Sequence, residues 1–365
     1  MKKNFWLKLK KPILALAPMA GITDSAFRQI CRDQGADVVY SEMVSATALF
    51  YKPEKTLELV KFNKEERPYV VQLFGKDPEH FAKATRIISN GVGTESLLCR
   101  DSVPTKRKLI PDGIDINFGC PAKKVFGHGS GCALMPQKEL ARKIISAVCK
   151  NTTLPVSLKI RAGLRSTNAL QFIKNVKDLP FQAVMVHGRT YEGGFSGEVD
   201  FKIIEEIKKI IPNKIVLANG GITTPEKAVK ILQDYPLLDG IGIAHGALGK
   251  PYLFSQIKNL LNCHLERSAA ESKYLIRSLD PPATMLQLRA GKLGMTQNYD
   301  LNKIKKIAIR HAEIIYKEKG KLGMFEIRKH LVWYFKGFPD AADLRKKLVQ
   351  VKSVKEIKNI LSSIS

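Results

Sequence analysis

Short apolar runs rich in β-branched residues recur along the first two thirds of the chain, each of a length typical of a buried strand. There are eight, at Ile13–Leu16, Val38–Ser41, Tyr69–Phe74, Ile114–Asn117, Val156–Ile160, Ala183–Val186, Ile215–Ala218 and Gly240–Ile243. Amphipathic stretches with helical spacing lie between most of them, at Asp24–Gln34, Pro78–Ile88, Lys138–Lys150, Ala169–Val176, Phe201–Ile211 and Pro225–Gln233. Eight strand–helix units predict an α/β fold, a (β/α)8 TIM barrel. A doubly wound open sheet is the alternative, but the count of eight favours closure.

The pattern changes over residues 300–365, where strand-like runs stop and apolar residues take helical spacing. We therefore predict a barrel domain over residues 1–262 and a C-terminal helical bundle domain over residues 300–365. Two segments show neither period. Residues 90–107 are predicted to be a peripheral insertion in the barrel, and residues 263–299 an insertion or linker between the domains.

Composition and charge narrow the class of partner. The chain has 365 residues, with 60 Lys and Arg against 34 Asp and Glu, a formal net charge of +26. This excess indicates a polyanionic partner, most simply nucleic acid, although a membrane surface or a generally basic background would also fit. The six cysteines show neither a CxxC pair nor metal-ligand spacing, which predicts free thiols in a reducing compartment and no metal site. No apolar run is long enough to span a bilayer, and the first residues lack the long apolar region expected of a signal peptide. We expect a cytoplasmic protein.

Cys120 follows one of the predicted strands. Gly119 frees the backbone and Pro121 prevents the strand from continuing, so Cys120 is predicted to lie on a tight turn. In an α/β barrel, catalytic side chains lie at this end of the strands. A lone cysteine is more often a buried structural residue. The turn, the neighbouring Asn117 and the glycine-rich basic loop Ala122–Cys132 favour a functional role instead.

The other predicted strand ends are also polar or rich in small residues. Lys159 and Arg161 lie two residues apart, which puts them on one side of their strand. Glycine-rich loops follow strands seven and eight, where barrels of this kind commonly bind phosphate. Taken singly, Lys159 could be a satisfied barrel lysine and His187 a core histidine. Taken together, the strand ends predict a pocket for flavin mononucleotide, with Gln72 and Asn219 at its polar edges and Lys159 as a cation near the ring.

These residues carry a family resemblance. The chain resembles the tRNA-dihydrouridine synthases, and is most similar to the bacterial B-type subfamily. The matching stretches cover nearly the whole chain apart from the two predicted insertions, and the cysteine turn is specific to the family. They are Ala17–Asp24, Val71–Gly75, Asp115–Val125, Leu158–Gly163, His187–Thr190, Asn219–Ile222, Gly246–Phe254 and Arg328–Tyr334.

The resemblance implies a reaction and a set of site residues. Reduced FMN would deliver hydride to C6 of a uridine in tRNA, Cys120 would give a proton to C5, and NADPH would reduce the flavin. A thiol with an ordinary pKa of about 8.5 is mostly protonated at neutral pH and can act as such an acid. Asn117, Arg161 and Arg189 are expected to contact the substrate. The residues expected to bind FMN are Pro18, Met19, Ala20, Gln72, Lys159, His187, Asn219, Gly220, Gly221, Ala244 and His245. We expect a monomer that binds tRNA through the C-terminal domain.

One departure from the family pattern affects the phosphate site. The family usually has Gly-Arg where this chain has Ala244-His245, so the backbone N–H groups are kept while a bidentate arginine contact is lost. His245 is expected to replace it in part. Two other functions are considered. A small-molecule FMN reductase of the dihydroorotate dehydrogenase type needs neither the charge of +26 nor a basic bundle. An RNA-binding module that has lost flavin would not need Cys120, Lys159 and His187 together.

Overall fold

The computed structural model describes residues 4–97, 105–263, 300–338 and 341–364. The chain divides into two compact units, Met1–Ala247 and Leu248–Ser365. The second unit therefore begins earlier than the boundary predicted at residue 262. The reason is close backbone packing, because a side chain at Gly249 would collide with the carbonyl group of Trp333.

The first unit contains a closed ring of eight parallel strands. All eight predicted strands are confirmed, and β4 pairs with β5 to complete the ring, which excludes the open sheet. The order around the ring follows the chain, and β8 pairs with β1. The strands are β1 (Ile13–Leu16), β2 (Val38–Ser45), β3 (Tyr69–Phe74), β4 (Gly113–Phe118), β5 (Val156–Leu164), β6 (Ala183–Thr190), β7 (Ile215–Asn219) and β8 (Gly240–Ile243).

Helices connect the strands, and their starts carry the side-chain caps that the sequence indicates. Asp24 accepts a hydrogen bond from the Phe27 N–H at 3.0 Å, and Thr224 precedes a proline at the first position of its helix. Six of the helices were predicted within one or two residues of their observed bounds. The helices of this unit are α1 (Ser25–Asp33), α2 (Ala46–Tyr51), α3 (Pro53–Glu58), α4 (Pro78–Ser89), α5 (Lys123–Gly127), α6 (Lys138–Lys150), α7 (Ala169–Val176), α8 (Phe201–Ile210) and α9 (Pro225–Asp234).

The segment between α4 and β4 has more regular structure than its sequence indicated. Gly93–Leu97 and Thr105–Leu109 form a two-stranded antiparallel sheet that is separate from the barrel sheet. Main-chain hydrogen bonds hold such a ladder, so it can form where no clear hydrophobic period marks it. Of the other predicted insertion, residues 264–299 lie outside the described residues.

Two levels of polar side chains fill the upper barrel. The strand register places Gln72, Asp115 and Ser157 side by side on β3, β4 and β5. Two residues further along, Asn117 and Lys159 form the next level on the same side of their strands. Apolar packing forms below, where Trp6 joins a buried cluster of barrel residues. The polar levels therefore connect the barrel interior to the C-terminal ends of the strands.

The second unit is helical in its described part, which confirms the predicted C-terminal bundle. Residues 253–263 form helix α10, and the later helices are α11 (Leu301–Tyr334), α12 (Ala341–Leu348) and α13 (Val354–Ser362). Gly320 breaks α11 with a φ of +57°. The two halves of α11 then pack together, since the Tyr334 hydroxyl lies 3.0 Å from Nδ1 of His311. Among the described residues, no helix is both long and apolar enough to cross a membrane.

Candidate active site

A cavity of about 420 Å³ lies at the C-terminal ends of the barrel strands. All fifteen residues predicted for the site line it, although they come from seven separate parts of the chain. They are Pro18, Met19, Ala20, Gln72, Asn117, Cys120, Lys159, Arg161, His187, Arg189, Asn219, Gly220, Gly221, Ala244 and His245.

Cys120 is held on a rigid turn directly after β4. Oδ1 of Asn117 accepts hydrogen bonds from the backbone N–H groups of Gly119 at 3.0 Å and Cys120 at 2.8 Å. From the other side, the Cys132 N–H donates to the Cys120 carbonyl oxygen at 3.2 Å. Fixed at both peptide groups, the half-buried thiol is presented to the cavity from one position.

The environment of Cys120 keeps its sulfur protonated. Burial raises the pKa of the Cys120 thiol, and this effect exceeds the opposing influence of the Ala122 N–H and of the Lys159 and Arg161 cations. At neutral pH the group is therefore a thiol that can donate a proton. A nucleophilic cysteine would need the opposite shift, toward the thiolate.

Lys159 is a cation facing the cavity from β5. Burial, together with the nearby Arg161, lowers the pKa of Lys159 to about 8. The amine therefore remains mostly protonated at neutral pH. Its Nζ donates to Oδ1 of Asn219 at 3.4 Å, and Nδ2 of Asn219 donates to the Gly242 carbonyl oxygen at 2.7 Å. These two bonds fix the Asn219 amide with its oxygen toward the lysine.

Arg161 connects the cysteine turn to the loop after β6. Its Nε donates to the Gly119 carbonyl oxygen at 3.1 Å, and its Nη1 donates to the carbonyl oxygens of Thr190 and Gly194, each at 2.9 Å. The side chain is 2% exposed, and burial lowers the pKa of its guanidinium. Most of its donors therefore bind backbone, a structural role that spacing along β5 did not reveal.

His187 and Arg189 lie together at the end of β6. Burial and the neighbouring cations, first Lys159 and then Arg161, lower the pKa of His187 to about 2, so the imidazole is neutral at working pH. Nη1 of Arg189 lies 3.4 Å from Nε2 of His187. A neutral imidazole next to a permanent cation can accept or donate one hydrogen bond without adding charge to the cavity.

The loop after β7 has the properties of a phosphate site. Gly220 and Gly221 have φ angles of +119° and +65°, which a residue with a side chain rarely adopts. A Cβ built on Gly221 would lie 3.5 Å from Nη2 of Arg189 and 3.5 Å from Nζ of Lys227. Bare backbone flanked by two cations fits a dianionic phosphate. The exposed His245, one strand further on, lines the same cavity.

Comparison with known proteins identifies the family of this chain. The sequence model of a family described as dihydrouridine synthase matches residues 15–96 and 105–365. The chain belongs to the dihydrouridine synthase family. The family match covers both compact units, and it confirms the predicted resemblance together with the prediction that the chain is an enzyme.

Curated relatives named as tRNA-dihydrouridine synthases align with most of this dihydrouridine synthase. The tRNA-dihydrouridine synthase B of Xanthomonas campestris pv. campestris is 32% identical over 337 residues, 92% of this chain and 87% of the relative. The tRNA-dihydrouridine synthase B of Pasteurella multocida is 34% identical over 325 residues, 88% of this chain and 83% of the relative. A probable tRNA-dihydrouridine synthase of Rickettsia conorii is 34% identical over 337 residues, which is 91% of this chain and 87% of the relative.

Three residues around the cavity of this dihydrouridine synthase were not predicted from the sequence to belong to the site. Met43 follows a bulge in β2, and its Sδ lies 3.5 Å from Nδ2 of Asn117. Phe195 is 59% exposed on the loop after β6, with its ring 5.4 Å from Cζ of Arg161. Asp115 lies directly beneath the cavity. An aromatic residue surrounded by glycines was a usable signal for Phe195, whereas a single methionine within a strand gives none.

Proposed function

We propose that this dihydrouridine synthase reduces specific uridines of tRNA to 5,6-dihydrouridine, with FMN as its cofactor and NADPH as the reductant. The observation that carries the proposal is the protonated Cys120 thiol, which shares one cavity with the Lys159 cation and the glycine loop after β7. The relatives' names supply the tRNA substrate.

The cavity suits FMN at both ends. Backbone N–H groups of Gly220 and Gly221, with Arg189 and Lys227 beside them, would hold the phosphate. Lys227 would thus supply a cation beside Gly221 to a phosphate site that lacks the family's arginine at position 245. The ring would lie near Lys159, bordered by the remaining residues assigned to FMN, which are Pro18, Met19, Ala20, Gln72, His187, Asn219 and Ala244. When bound, FMN supplies the two electrons that saturate the uracil double bond.

The residues at and just after the ends of β4 and β5 would contact the uracil. Cys120 gives the proton that C5 requires, because burial keeps its thiol protonated until the ring is in place. Asn117 and Arg161 hold the turn and the adjoining loop at fixed positions. Arg161 keeps N–H donors that bind no backbone carbonyl, and these would orient the uracil by hydrogen bonds. The Asn117 amide is already used by the turn, Gln72 and Met43, so its contribution is to position the turn.

The second unit is proposed to bind the body of the tRNA. Residues 300–365 contain 16 Lys or Arg and 7 Asp or Glu, a net charge of +9. A uridine must leave its stack to enter a barrel cavity, and this costs a few kcal/mol that phosphate contacts elsewhere can offset. We place the enzyme in the cytoplasm as a monomer, where tRNA and NADPH are both present.

Two measurements test the function. Purified protein should show the visible absorption spectrum of an oxidised flavin, and the released cofactor should have the mass of FMN. Mass spectrometry of nucleosides from a deletion strain should show loss of dihydrouridine at particular tRNA positions, and the wild-type gene should restore it. Colourless protein, or a strain whose dihydrouridine content is unchanged, would contradict the proposal.

The charge on Lys159 predicts a pH dependence. The pKa of Lys159 is lowered to about 8, so the cation is present below that pH and is lost above it. If the cation stabilises negative charge on the reduced ring, flavin reduction by NADPH should slow as pH rises through about 8. Stopped-flow absorbance across this range measures the rate.

Variants at position 159 separate this residue from other groups. Lys159→Met should show a slow rate with no fall near pH 8, while Lys159→Arg should keep its rate at higher pH because guanidinium stays charged. An unchanged pH profile in Lys159→Met would assign the titration to a different residue.

The basic helix α12 predicts salt-dependent binding. Replacing Arg345, Lys346 and Lys347 with Gln should weaken tRNA binding, and should flatten the log–log dependence of affinity on salt by about 2 units if all three contact phosphates. Lys346 is paired with Asp343 at 3.0 Å, but both side chains are 76% exposed, so phosphate can compete for the lysine. Fluorescence anisotropy with labelled tRNA gives affinity and slope.

The matched control neutralises three exposed lysines of the barrel unit, Lys143, Lys174 and Lys177. This variant has the same change in net charge, so it should keep the wild-type salt slope if binding is local to α12. Equal slopes for all three proteins would move the RNA surface to another part of the chain.

A further inference from the structure

Asp115 is a buried carboxylate that the proposed chemistry does not use. It lies on β4 beneath the cavity, with 0% of its surface exposed. Burial raises the pKa of Asp115 to about 6, and hydrogen bonds from Ser157 and Gln72 oppose a larger rise. The charged or titratable groups acting on it are Lys159 on β5 and Tyr40 on β2. At neutral pH it is mainly an anion, so both of its oxygens can only accept hydrogen bonds.

A continuous series of hydrogen bonds leads from this carboxylate to the catalytic turn. Oδ2 of Asp115 accepts from Nε2 of Gln72 at 2.7 Å, and Oε1 of Gln72 accepts from Nδ2 of Asn117 at 2.9 Å. Oδ1 of Asn117 then accepts from the N–H groups of Gly119 and Cys120. Gln72 and Asn117 are at most 5% exposed, so solvent has little access to these bonds.

The polarity of the series is imposed at both ends, by the Asp115 carboxylate and by the N–H groups of the turn. An amide side chain can turn over and exchange its oxygen for its nitrogen, but a carboxylate cannot act as a donor. Asp115 therefore requires the nitrogen of Gln72, which leaves the Gln72 oxygen for Asn117. Asn117 must then donate its nitrogen and present its oxygen to the turn. If both amides were reversed, the Asn117 nitrogen would face two backbone N–H groups and both bonds would be lost.

We propose that Asp115 is a positioning residue that orients the amides of Gln72 and Asn117 and thereby holds the Cys120 turn in its reactive geometry. The inference rests on the proposed role of Cys120 as proton donor. Its structural part, the control of the turn by Asp115, can be measured without turnover.

The variant Asp115→Asn tests the inference. Asparagine has the same shape, but it can present either oxygen or nitrogen to Gln72, so the amide orientations are imposed only by the N–H groups of the turn and no longer from the buried end. At a pH well above the pKa of Asp115, kcat for uridine reduction should fall by roughly 10- to 100-fold, because a loosened turn misplaces the thiol. KM for tRNA should not change, because Asp115 is fully buried and cannot contact RNA.

A second readout follows the cysteine itself. Iodoacetamide labelling of the purified protein, measured on the Cys120 peptide by mass spectrometry, should be faster in Asp115→Asn because a mobile turn exposes the half-buried thiol. The labelling of Cys31, buried on α1 in the same unit, should stay unchanged and reports on general unfolding.

Ser157→Ala provides the matched control. The Ser157 hydroxyl donates to the other oxygen of Asp115 at 2.6 Å, so its removal costs a buried hydrogen bond but leaves the polarity of the series intact. We expect a lower melting temperature with wild-type kcat and wild-type Cys120 labelling. If Ser157→Ala and Asp115→Asn change kcat and Cys120 labelling by the same amounts, Asp115 only supports core stability. That result would overturn the proposal.

A double variant covers the case in which Asp115→Asn folds poorly. In Asp115→Asn with Gln72→Glu, the acceptor-only group moves to position 72, where it can accept from both asparagines and restore the Asn117 orientation. Cys120 labelling should return toward the wild-type rate. Wild-type labelling and kcat in Asp115→Asn alone, or faster labelling in the double variant, would contradict the proposal. The labelling rates of the variants could follow these expectations while the wild-type protein fails to reduce uridine. That outcome would contradict the proposed function alone.

Discussion

Replacing Cys120 with Ala should lower the rate of dihydrouridine formation by about 10²- to 10⁴-fold, the usual contribution of a general acid. The thiol is half-buried on a turn fixed by Asn117 and Cys132, and alanine fits the same space. The fold and the bound flavin should therefore be retained. Single-turnover assays with prereduced enzyme and tRNA lacking dihydrouridine measure the loss directly.

Two controls isolate the proton transfer. Oxidation of NADPH without tRNA should continue in Cys120→Ala, because that half-reaction needs no proton at C5. Cys149→Ala removes a buried thiol from α6, outside the residues that line the cavity, and should leave the rate unchanged. A normal rate of dihydrouridine formation in Cys120→Ala would assign the acid to another group.

Replacing Arg161 with Leu should cause the second large loss, up to about 100-fold in kcat. The change leaves the carbonyl oxygens of Gly119, Thr190 and Gly194 without this donor. The Gly119 carbonyl oxygen is the buried one, and a buried acceptor left unsatisfied costs about 1–3 kcal/mol, so the melting temperature should fall as well. The Cys120 turn and the loop after β6 would then move independently, which predicts a larger effect on kcat than on KM.

Arg142 offers a matched arginine on the surface of the same unit. It forms a bidentate ion pair with Asp178. Nη1 of Arg142 donates to Oδ1 of Asp178 at 2.7 Å, and Nη2 donates to Oδ2 at 2.6 Å. Because that pair is largely exposed and lies outside the residues that line the cavity, Arg142→Leu should leave kcat unchanged and lower the melting temperature less than Arg161→Leu does. If Arg161→Leu behaves in the same way, the three carbonyl bonds do not hold the site together.

The sequence was sufficient for the barrel because each strand is a compact apolar run, and burial on both faces selects such runs. Closure could only be inferred from the number of strands, since the pairing of β4 with β5 is a contact between distant parts of the chain. The hairpin before β4 was missed for a related reason, because main-chain bonding leaves little trace in side-chain periodicity.

In the site, as in the fold, local patterns could be interpreted from the sequence and long-range contacts could not. Cys120, Lys159 and His187 could be found because each follows a strand, where a barrel places its chemistry. Which of the site residues bond to one another could not be found. Gln72 and Asp115 are 43 residues apart in sequence, and no spacing rule joins them. In the sequence, Asp115 stands out only as a polar residue in a buried strand. Its role depends on its hydrogen-bond partners, which only the structure shows.

The hairpin before β4 offers a convenient attachment point. Parallel strands present all of their C-terminal ends to the cavity, so a segment that leads into the start of β4 joins the barrel at the opposite end. Chain added there lengthens a connection on the far side from the chemistry. A fluorophore, an affinity tag or a surface tether placed in this connection could report on single enzyme molecules during tRNA binding, and the entrance to the cavity would stay open.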